Sequence, residues 1–127
     1  MAQHEHCIVI VDDDESVREA AANLFKSMGF TAVAFSSAEE YLSSDYVDKT
    51  SCMVLDVQMP GMGGLKLQSH LDATGRHIPI VFVTGYPDDG VRAKALGSGA
   101  LCFLTKPFKE GDLLDGLKSA LTAESDD

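Results

Sequence analysis

The chain is short of basic residues. Its 127 residues include 10 Lys and Arg against 20 Asp and Glu, which gives a formal net charge of −10 and a sequence pI near 4.6. A nucleic-acid backbone or an anionic membrane surface is bound through clustered Lys and Arg. The composition therefore argues against direct nucleic-acid binding by this chain and against a membrane partner.

Long apolar runs and paired cysteines are also missing. No stretch reaches the roughly 20 apolar residues that a membrane-spanning helix needs, and the first residues contain no apolar signal region. The three cysteines, Cys7, Cys52 and Cys102, are widely spaced and form no Cys-x-x-Cys pair. Each lies in or beside an apolar run, as expected of reduced, buried thiols. These absences predict a cytoplasmic protein.

The sequence does contain a regular alternation of strand-like and helix-like segments. The predicted strands are short and mostly apolar, as parallel strands buried on both faces are: Cys7–Val11, Thr31–Phe35, Cys52–Asp56, Ile78–Thr84 and Ala100–Thr105. The predicted helices are about Glu15–Met28, Ala38–Leu42, Gly64–Thr74, Asp88–Leu96 and Glu110–Thr122. Five βα units in a chain of this length predict one α/β domain, a three-layer, doubly wound sandwich around a five-stranded parallel sheet.

Local signals predict two helix starts and one buried face. Ser37–Glu40 fits a capping box before the second helix, and Asp14 or Glu15 suits the positive N-terminus of the first. The predicted core face of the first helix consists of Val17, Ala20, Ala21, Leu24 and Met28.

Polar side chains follow or end four of the predicted strands. Asp12 and Asp13 follow strand one, and Asp56 ends strand three. Thr84 ends strand four, and Lys106 follows strand five. The strands of a parallel sheet direct their C-terminal ends to one edge, where ligands bind, so these side chains should converge. Strand two contributes none, which predicts that it lies at an edge of the sheet.

These residue types predict a site for phosphate and magnesium. Clustered carboxylates repel one another, and Mg²⁺ suits a site with few carboxylates, some waters and a phosphate oxygen. A carboxylate such as Asp56 can also attack a phosphoryl group and form an acyl phosphate. Lys106 and the metal would then neutralise the phosphoryl oxygens, and Thr84 would donate a hydrogen bond to one. No glycine-rich phosphate loop follows strand one, which counts against a dinucleotide or flavin binder.

Four motifs, in this order, closely resemble the receiver domain of two-component response regulators. They are Val11–Glu15, Leu55–Gly64, Val83–Gly85 and Thr105–Phe108. Each is weak alone, but the set is specific, covers essentially the whole chain and is similar to the FixJ branch. The resemblance implies a flavodoxin-like, CheY-like fold, with the receiver domain over residues 1–122. Residues 123–127 would form an acidic tail or the start of a linker.

The resemblance implies a role for each site residue. Asp56 would accept a phosphoryl group from the phosphohistidine of a sensor histidine kinase, or from a small donor such as acetyl phosphate. Asp13 and Asp56 would ligate Mg²⁺, for which Mn²⁺ could substitute, together with the main-chain carbonyl of Gln58. Asp12 would act through water. Lys106 would pair with the phosphoryl group, and the peptide bond after it would be cis.

The family also implies a conformational switch. Phosphorylation would draw Thr84 inward, and Phe103 would follow into the vacated space as pre-existing states shift in population. Many receivers have Tyr at the position of Phe103, so this chain lacks the hydroxyl contact but keeps a ring that can rotate. Gln58 and Tyr86 should border the path of the water that hydrolyses the phosphoryl group, and a bulky Tyr86 would slow that reaction.

Three functions stay open at this point. The first is a phosphorylation-driven switch, a phosphoacceptor with slow self-phosphorylation and self-dephosphorylation rather than a multiple-turnover enzyme. The second is an aspartate-nucleophile phosphatase, which would place Asp-x-Asp after strand one and requires a cap domain. Here the sequence is Asp12–Ser16, and no cap segment follows. The third is a phosphorylation-independent binding module, which usually lacks the phosphorylation residues that are intact here.

The output is equally open. The FixJ branch usually carries a C-terminal helix-turn-helix domain, and these 127 residues contain none. The chain is therefore expected to be an isolated receiver that controls transcription through a DNA-binding domain elsewhere, or a stand-alone regulator that acts by protein–protein contact. A homodimer through the helix four, strand five and helix five face is a further expectation from the family.

Overall fold

The computed structural model describes residues 6–86, 88–97, 100 and 102–125. The strands are β1 Cys7–Val11, β2 Thr31–Phe35, β3 Cys52–Asp56, β4 Ile80–Thr84 and β5 Cys102–Thr105. The helices are α1 Glu15–Ser27, α2 Ala38–Leu42, α3 Gly64–Ala73, α4 Asp89–Gly97 and α5 Glu110–Ser125. A short 3-10 turn at Val47–Lys49, which the sequence pattern did not predict, connects α2 to β3.

The strands form one parallel sheet in the order β2-β1-β3-β4-β5. The predicted fold class and the edge position of β2 are both confirmed. Alternating residues of β1 supply both cores: Cys7, Val9 and Val11 face α2, α3 and α4, while Ile8 and Ile10 face α1 and α5. β1, β3 and β4 are buried along their whole length, which explains why they are mostly apolar rather than alternating with polar residues.

Two strands begin later than predicted. β4 begins at Ile80 rather than Ile78, because Pro79 has no N–H with which to extend the ladder, although its carbonyl accepts from Met53 N at 3.0 Å. β5 begins at Cys102, since the main-chain N–H of Ala100 instead donates to Ala95 of α4 at 3.2 Å. Leu101, which is predicted to belong to the same strand, lies outside the described residues.

The predicted helix ends also shift slightly. α1 and α3 end one residue early, at Ser27 and Ala73, and α4 is displaced by one residue. α5 continues to Ser125, so the acidic tail predicted from residue 123 begins inside a helix. The last two residues of that tail, 126 and 127, lie outside the described part of the chain.

The predicted core face of α1 was partly wrong. Ala21 is buried as expected, but the other fully buried residue is Phe25, which the prediction omitted. Ala20 is exposed, and 45% of the surface of Met28 is exposed. Successive residues project about 100° apart on a helix. The observed buried face is centred about one residue later than the predicted one, so it includes the large ring of Phe25 and leaves out small side chains such as that of Ala20.

The predicted helix starts are confirmed. Asp14 is the N-cap of α1, and its Oδ1 accepts from the Ser16 main-chain N–H at 2.9 Å. Ser37 is the N-cap of α2, and its hydroxyl oxygen accepts from the Glu40 N–H at 3.0 Å. Within the described ranges, no helix is long and apolar enough to span a bilayer.

Candidate functional site

Three carboxylates meet where β1 and β3 end. Asp12 is fully buried, Asp56 is 3% exposed, and Asp13 is exposed. One carboxylate oxygen from each residue lies within 4.8 Å of the others. The parallel register brings the ends of these neighbouring strands together, as the sequence pattern predicted.

Lys106 provides the positive charge opposite this cluster. Its Nζ atom lies 2.9 Å from Asp12 Oδ2 and 3.3 Å from Asp56 Oδ2. The main-chain N–H of Lys106 donates to the Thr84 carbonyl at 2.7 Å, which holds the end of β5 against β4. The Lys106–Pro107 peptide bond is cis, as the resemblance implied. Of the predicted site residues, Asp12, Asp13, Asp56 and Lys106 therefore form one cluster.

The charges in this cluster are unevenly balanced. Burial, followed by the nearby charge of Asp12, raises the pKa of Asp56 to about 7. Burial tends to lower the pKa of Lys106, but the hydrogen bond to Asp12 and the charges of Asp12 and Asp56 outweigh it and raise that pKa. One ammonium group faces three carboxyl groups, so a further cation would stabilise the ionised form of Asp56.

The donor atoms fit Mg²⁺. Asp12 Oδ1 accepts from the Asp14 N–H at 2.8 Å, whereas the buried Asp12 Oδ2 receives no hydrogen bond of good geometry despite its ion pair with Lys106. The Lys106 ammonium group compensates the charge of this oxygen, and a water bound to a metal would satisfy its remaining hydrogen-bonding capacity. Because the clustered ligand atoms are carboxylate oxygens, the site suits a hard divalent cation.

A cavity of about 510 Å³ opens over Asp56 and Lys106. Gln58 and Tyr86 form part of its wall, and the side chain of Tyr86 stands at the rim with 74% of its surface exposed. The Gln58 main-chain N–H donates to Asp56 Oδ1 at 3.1 Å. That hydrogen bond orients the carboxylate, whose Oδ2 faces the ammonium group of Lys106.

The two predicted switch residues lie on adjacent strands. Thr84 is buried at the end of β4, and its Oγ1 accepts from the Tyr86 N–H at 3.0 Å. Phe103 pairs with Phe82, two residues before Thr84, so Phe103 and Thr84 face the same side of the sheet. Phe103 is half-buried and packs against the core that includes Ala95 of α4.

Two contacts near the site had no signal in the sequence. The guanidinium Nη1 of Arg18 donates to the main-chain carbonyl of Asp12 at 2.7 Å, and only the turn from β1 into α1 makes this possible. Gly64 follows the loop after Asp56, and a Cβ at Gly64 would overlap the Asp56 carbonyl oxygen. The chain therefore turns too tightly at this position for any side chain.

Comparison with known families then identifies the domain. The family model for the response regulator receiver domain matches residues 8–118. The chain belongs to this family. Receiver domains act in two-component systems, interact with sensor histidine kinases and generally bind Mg²⁺ at an acidic pocket.

Several curated relatives are response regulators. Nodulation protein W of Bradyrhizobium diazoefficiens is 46% identical to this receiver domain over 113 residues, which are 89% of this chain and 50% of the relative. Response regulator protein TmoT of Ectopseudomonas mendocina is 43% identical over 121 residues, 95% of this chain and 55% of the relative. Transcriptional regulatory protein FixJ of Azorhizobium caulinodans is 35% identical over 112 residues, 88% of this chain and 53% of the relative. The chain spans about half the length of these relatives.

Solved structures agree with this assignment. The response regulator StyR superposes with a TM-score of 0.87 at 40% identity, over 95% of this receiver domain and 61% of that chain. The structure titled FixJ-N superposes with a TM-score of 0.82 at 29% identity, over 93% of this chain and 94% of that one.

Proposed function

We propose that Asp56 accepts a phosphoryl group from the phosphohistidine of a sensor histidine kinase, and that the domain then changes conformation to control an output. One observation supports this most directly. The Asp56 carboxylate lies beneath an open cavity, with Oδ1 oriented by the Gln58 N–H and Oδ2 3.3 Å from Lys106 Nζ. A buried, oriented carboxylate beside a cation is suited to nucleophilic attack on phosphorus.

The reaction requires ionised Asp56. A carboxylate oxygen would form the new O–P bond as the N–P bond to the donor imidazole breaks, and the electron pair of that bond would return to the leaving nitrogen. Lys106 pairs with Asp56 before transfer and would pair with the phosphoryl group afterwards. Asp13, Asp56 and the Gln58 carbonyl would hold Mg²⁺, and Asp12 would act through water. The metal would neutralise negative charge on the phosphoryl oxygens.

The conformational readout would use Thr84 and Phe103. The Thr84 hydroxyl would leave its contact with the Tyr86 N–H and donate to a phosphoryl oxygen. Because Phe103 faces the same side of the sheet, its ring would occupy the space that Thr84 leaves beneath α4. The phosphoryl group would thus bias a pre-existing equilibrium through new charge-assisted contacts.

The output proposed here is control of transcription through a DNA-binding domain. Relatives such as FixJ are named as transcriptional regulators, and this chain matches about half of their length. A homodimer through the α4, β5 and α5 face would be one way to pass the signal to that domain. The alternative is a stand-alone cytoplasmic receiver that acts through protein–protein contact.

Intact-protein mass after incubation with acetyl phosphate tests the acceptor role. We expect one added phosphoryl group that requires Mg²⁺ and is lost in Asp56→Asn. Asp45→Asn, the same change at an exposed position outside the site, should keep the adduct. An adduct on Asp56→Asn, or none on the folded wild-type protein with either acetyl phosphate or a phosphorylated kinase, would contradict the proposal.

The number of phosphate groups released per protein molecule distinguishes a receiver switch from a phosphatase. With a small phosphate ester in excess, a receiver should release no more than about one phosphate per molecule during the lifetime of its adduct. Sustained release over many cycles, abolished in Asp56→Asn, would instead support an aspartate-nucleophile phosphatase.

A further inference from the structure

A hydrogen bond from the loop that follows Asp56 to Glu39 connects this loop to α2. This loop, residues 57–63, connects β3 to α3. Glu39 lies in the first turn of α2, and its Oε2 accepts from the Met62 N–H at 3.0 Å. The preceding residue, Gly61, has φ +79°, and a Cβ added there would lie 2.7 Å from Glu39 Oε2. The carboxylate thus occupies space that only a glycine leaves open.

Hydrogen bonds also hold this loop against Asp56 and the end of β3. Gln58 N–H donates to Asp56 Oδ1 at 3.1 Å, and Gly64 N–H donates to the Val57 carbonyl at 2.9 Å. A Cβ at Gly64 would overlap the Asp56 carbonyl oxygen, so the loop lies closely against the end of β3. Movement of the loop would therefore displace the Gln58 main chain.

Helix capping does not explain the position of the Glu39 side chain. Acidic residues are favoured in the first turn of any helix. In α2, however, the neighbouring Glu40 supplies the capping contact, because its Oε1 accepts from the Ser36 N–H at 2.7 Å. The cap hydroxyl of Ser37 accepts from the Glu40 N–H. The Glu39 side chain instead crosses to a segment 23 residues away in sequence.

We propose that Glu39 is a positioning residue for the Asp56 site. By holding the Met62 N–H, it keeps the loop in the conformation that places the Gln58 N–H on Asp56 and the Gln58 carbonyl at the proposed metal position. The part that concerns Mg²⁺ rests on the proposed function. The part that concerns the Gln58 N–H does not, because that hydrogen bond exists without metal.

Amide hydrogen exchange of the metal-free protein tests the positioning role directly. In Glu39→Ala we expect about five- to tenfold faster exchange at both Met62 and Gln58, since exchange reports local opening of the loop. Glu39→Gln keeps an oxygen that accepts from Met62 and should restore most of the protection. Glu40→Ala is the matched control. It removes the capping contact and should lower the melting temperature while leaving Gln58 exchange unchanged.

A Mg²⁺ titration, followed by the Gln58 amide shift, separates this inference from the proposed function. We expect about three- to tenfold weaker Mg²⁺ binding in Glu39→Ala and wild-type affinity in Glu40→Ala. If wild-type protein binds no Mg²⁺, the proposed function fails, and the exchange result alone decides the role of Glu39. If Glu39→Ala accelerates exchange only at Met62, or if wild-type protein binds Mg²⁺ and the variant binds it equally well, Glu39 is a surface contact and the inference is overturned.

Discussion

The ammonium group of Lys106, just after β5, lies 2.9 Å from Oδ2 of Asp12, just after β1, although 94 residues separate them in sequence. The same Nζ atom lies 3.3 Å from Asp56 Oδ2. One cation is thus shared between two buried carboxyl groups. Much of the electrostatic behaviour of the site follows from this sharing.

Replacing Lys106 with Gln should leave the two carboxyl groups without their cation. We expect Lys106→Gln to lower the free energy of unfolding of the metal-free protein at pH 8 by about 1–3 kcal/mol, a range reduced because the pair is partly solvated. Phosphorylation by acetyl phosphate should slow at least about tenfold, because the phosphoryl charge loses its partner. Chemical denaturation and intact mass measure the two effects. Lys118→Gln, at an exposed position of α5, should change neither, and equal losses in both variants would contradict the assignment.

The metal-free protein should become less stable as the pH rises through the pKa of Asp56. Burial and the charge of Asp12 raise that pKa to about 7 in the folded state, whereas an unfolded Asp titrates near 3.9. Between these values the folded state binds one more proton than the unfolded state, so this contribution is fully present below the unfolded pKa. It is lost as the pH rises through the folded one.

Asp56→Asn isolates this contribution, since Asn stays neutral at every pH. We expect the variant to gain stability relative to wild type by about 1–3 kcal/mol between pH 5 and pH 8 in the absence of metal. Urea denaturation in chelator at several pH values measures the gap. A gap independent of pH would show that the pKa of Asp56 is not raised. Mg²⁺ at pH 8 should stabilise wild type more than the variant.

Tyr86 should lengthen the lifetime of the phosphorylated state. Its side chain stands exposed at the rim of the cavity over Asp56, where it would hinder an attacking water. We expect Tyr86→Ala to hydrolyse its phosphoryl group about three- to tenfold faster, as judged by the decay of the mass adduct after donor removal. Tyr86→Phe keeps the ring and should match wild type. If Tyr86→Ala decays at the wild-type rate, the shielding role is wrong.

A side chain at Gly64 should destabilise the protein and disturb the site. A Cβ there would overlap the Asp56 carbonyl oxygen, and relief of that overlap must move either the end of β3 or the start of α3. We expect Gly64→Ala to lose about 1–3 kcal/mol of stability and to bind Mg²⁺ more weakly. Gly111→Ala provides the comparison, because an added Cβ meets nothing within 4 Å in the first turn of α5. That variant should be as stable as wild type or slightly more so. Equal effects of the two substitutions on Mg²⁺ binding would contradict the steric argument.

The sequence was sufficient to predict the fold class and the convergence of Asp12, Asp13, Asp56 and Lys106 at one edge of the sheet. Strands buried on both faces appear as short apolar runs, and a parallel sheet directs all its C-terminal ends to one edge. The positions of Asp12, Asp56, Thr84 and Lys106 at those ends follow from these two rules. Most element boundaries were also predicted to within two residues. Helix caps such as Asp14 and Ser37 depend only on neighbouring residues, so the local sequence is enough to locate them.

Tertiary structure decided whatever depends on more than one element. Nothing in the local pattern of α1 favours Phe25 over Leu24 at the core, because the sheet beneath the helix selects the buried face. The contact of Glu39 with Met62 likewise depends on how α2 lies beside the loop after β3. The raised pKa of Asp56 requires burial and the charge of Asp12, which follows the neighbouring strand β1. Residue types and the ends of strands are determined locally by the sequence. The buried faces of helices, the desolvation of side chains and the sharing of charge arise only when separate elements pack together.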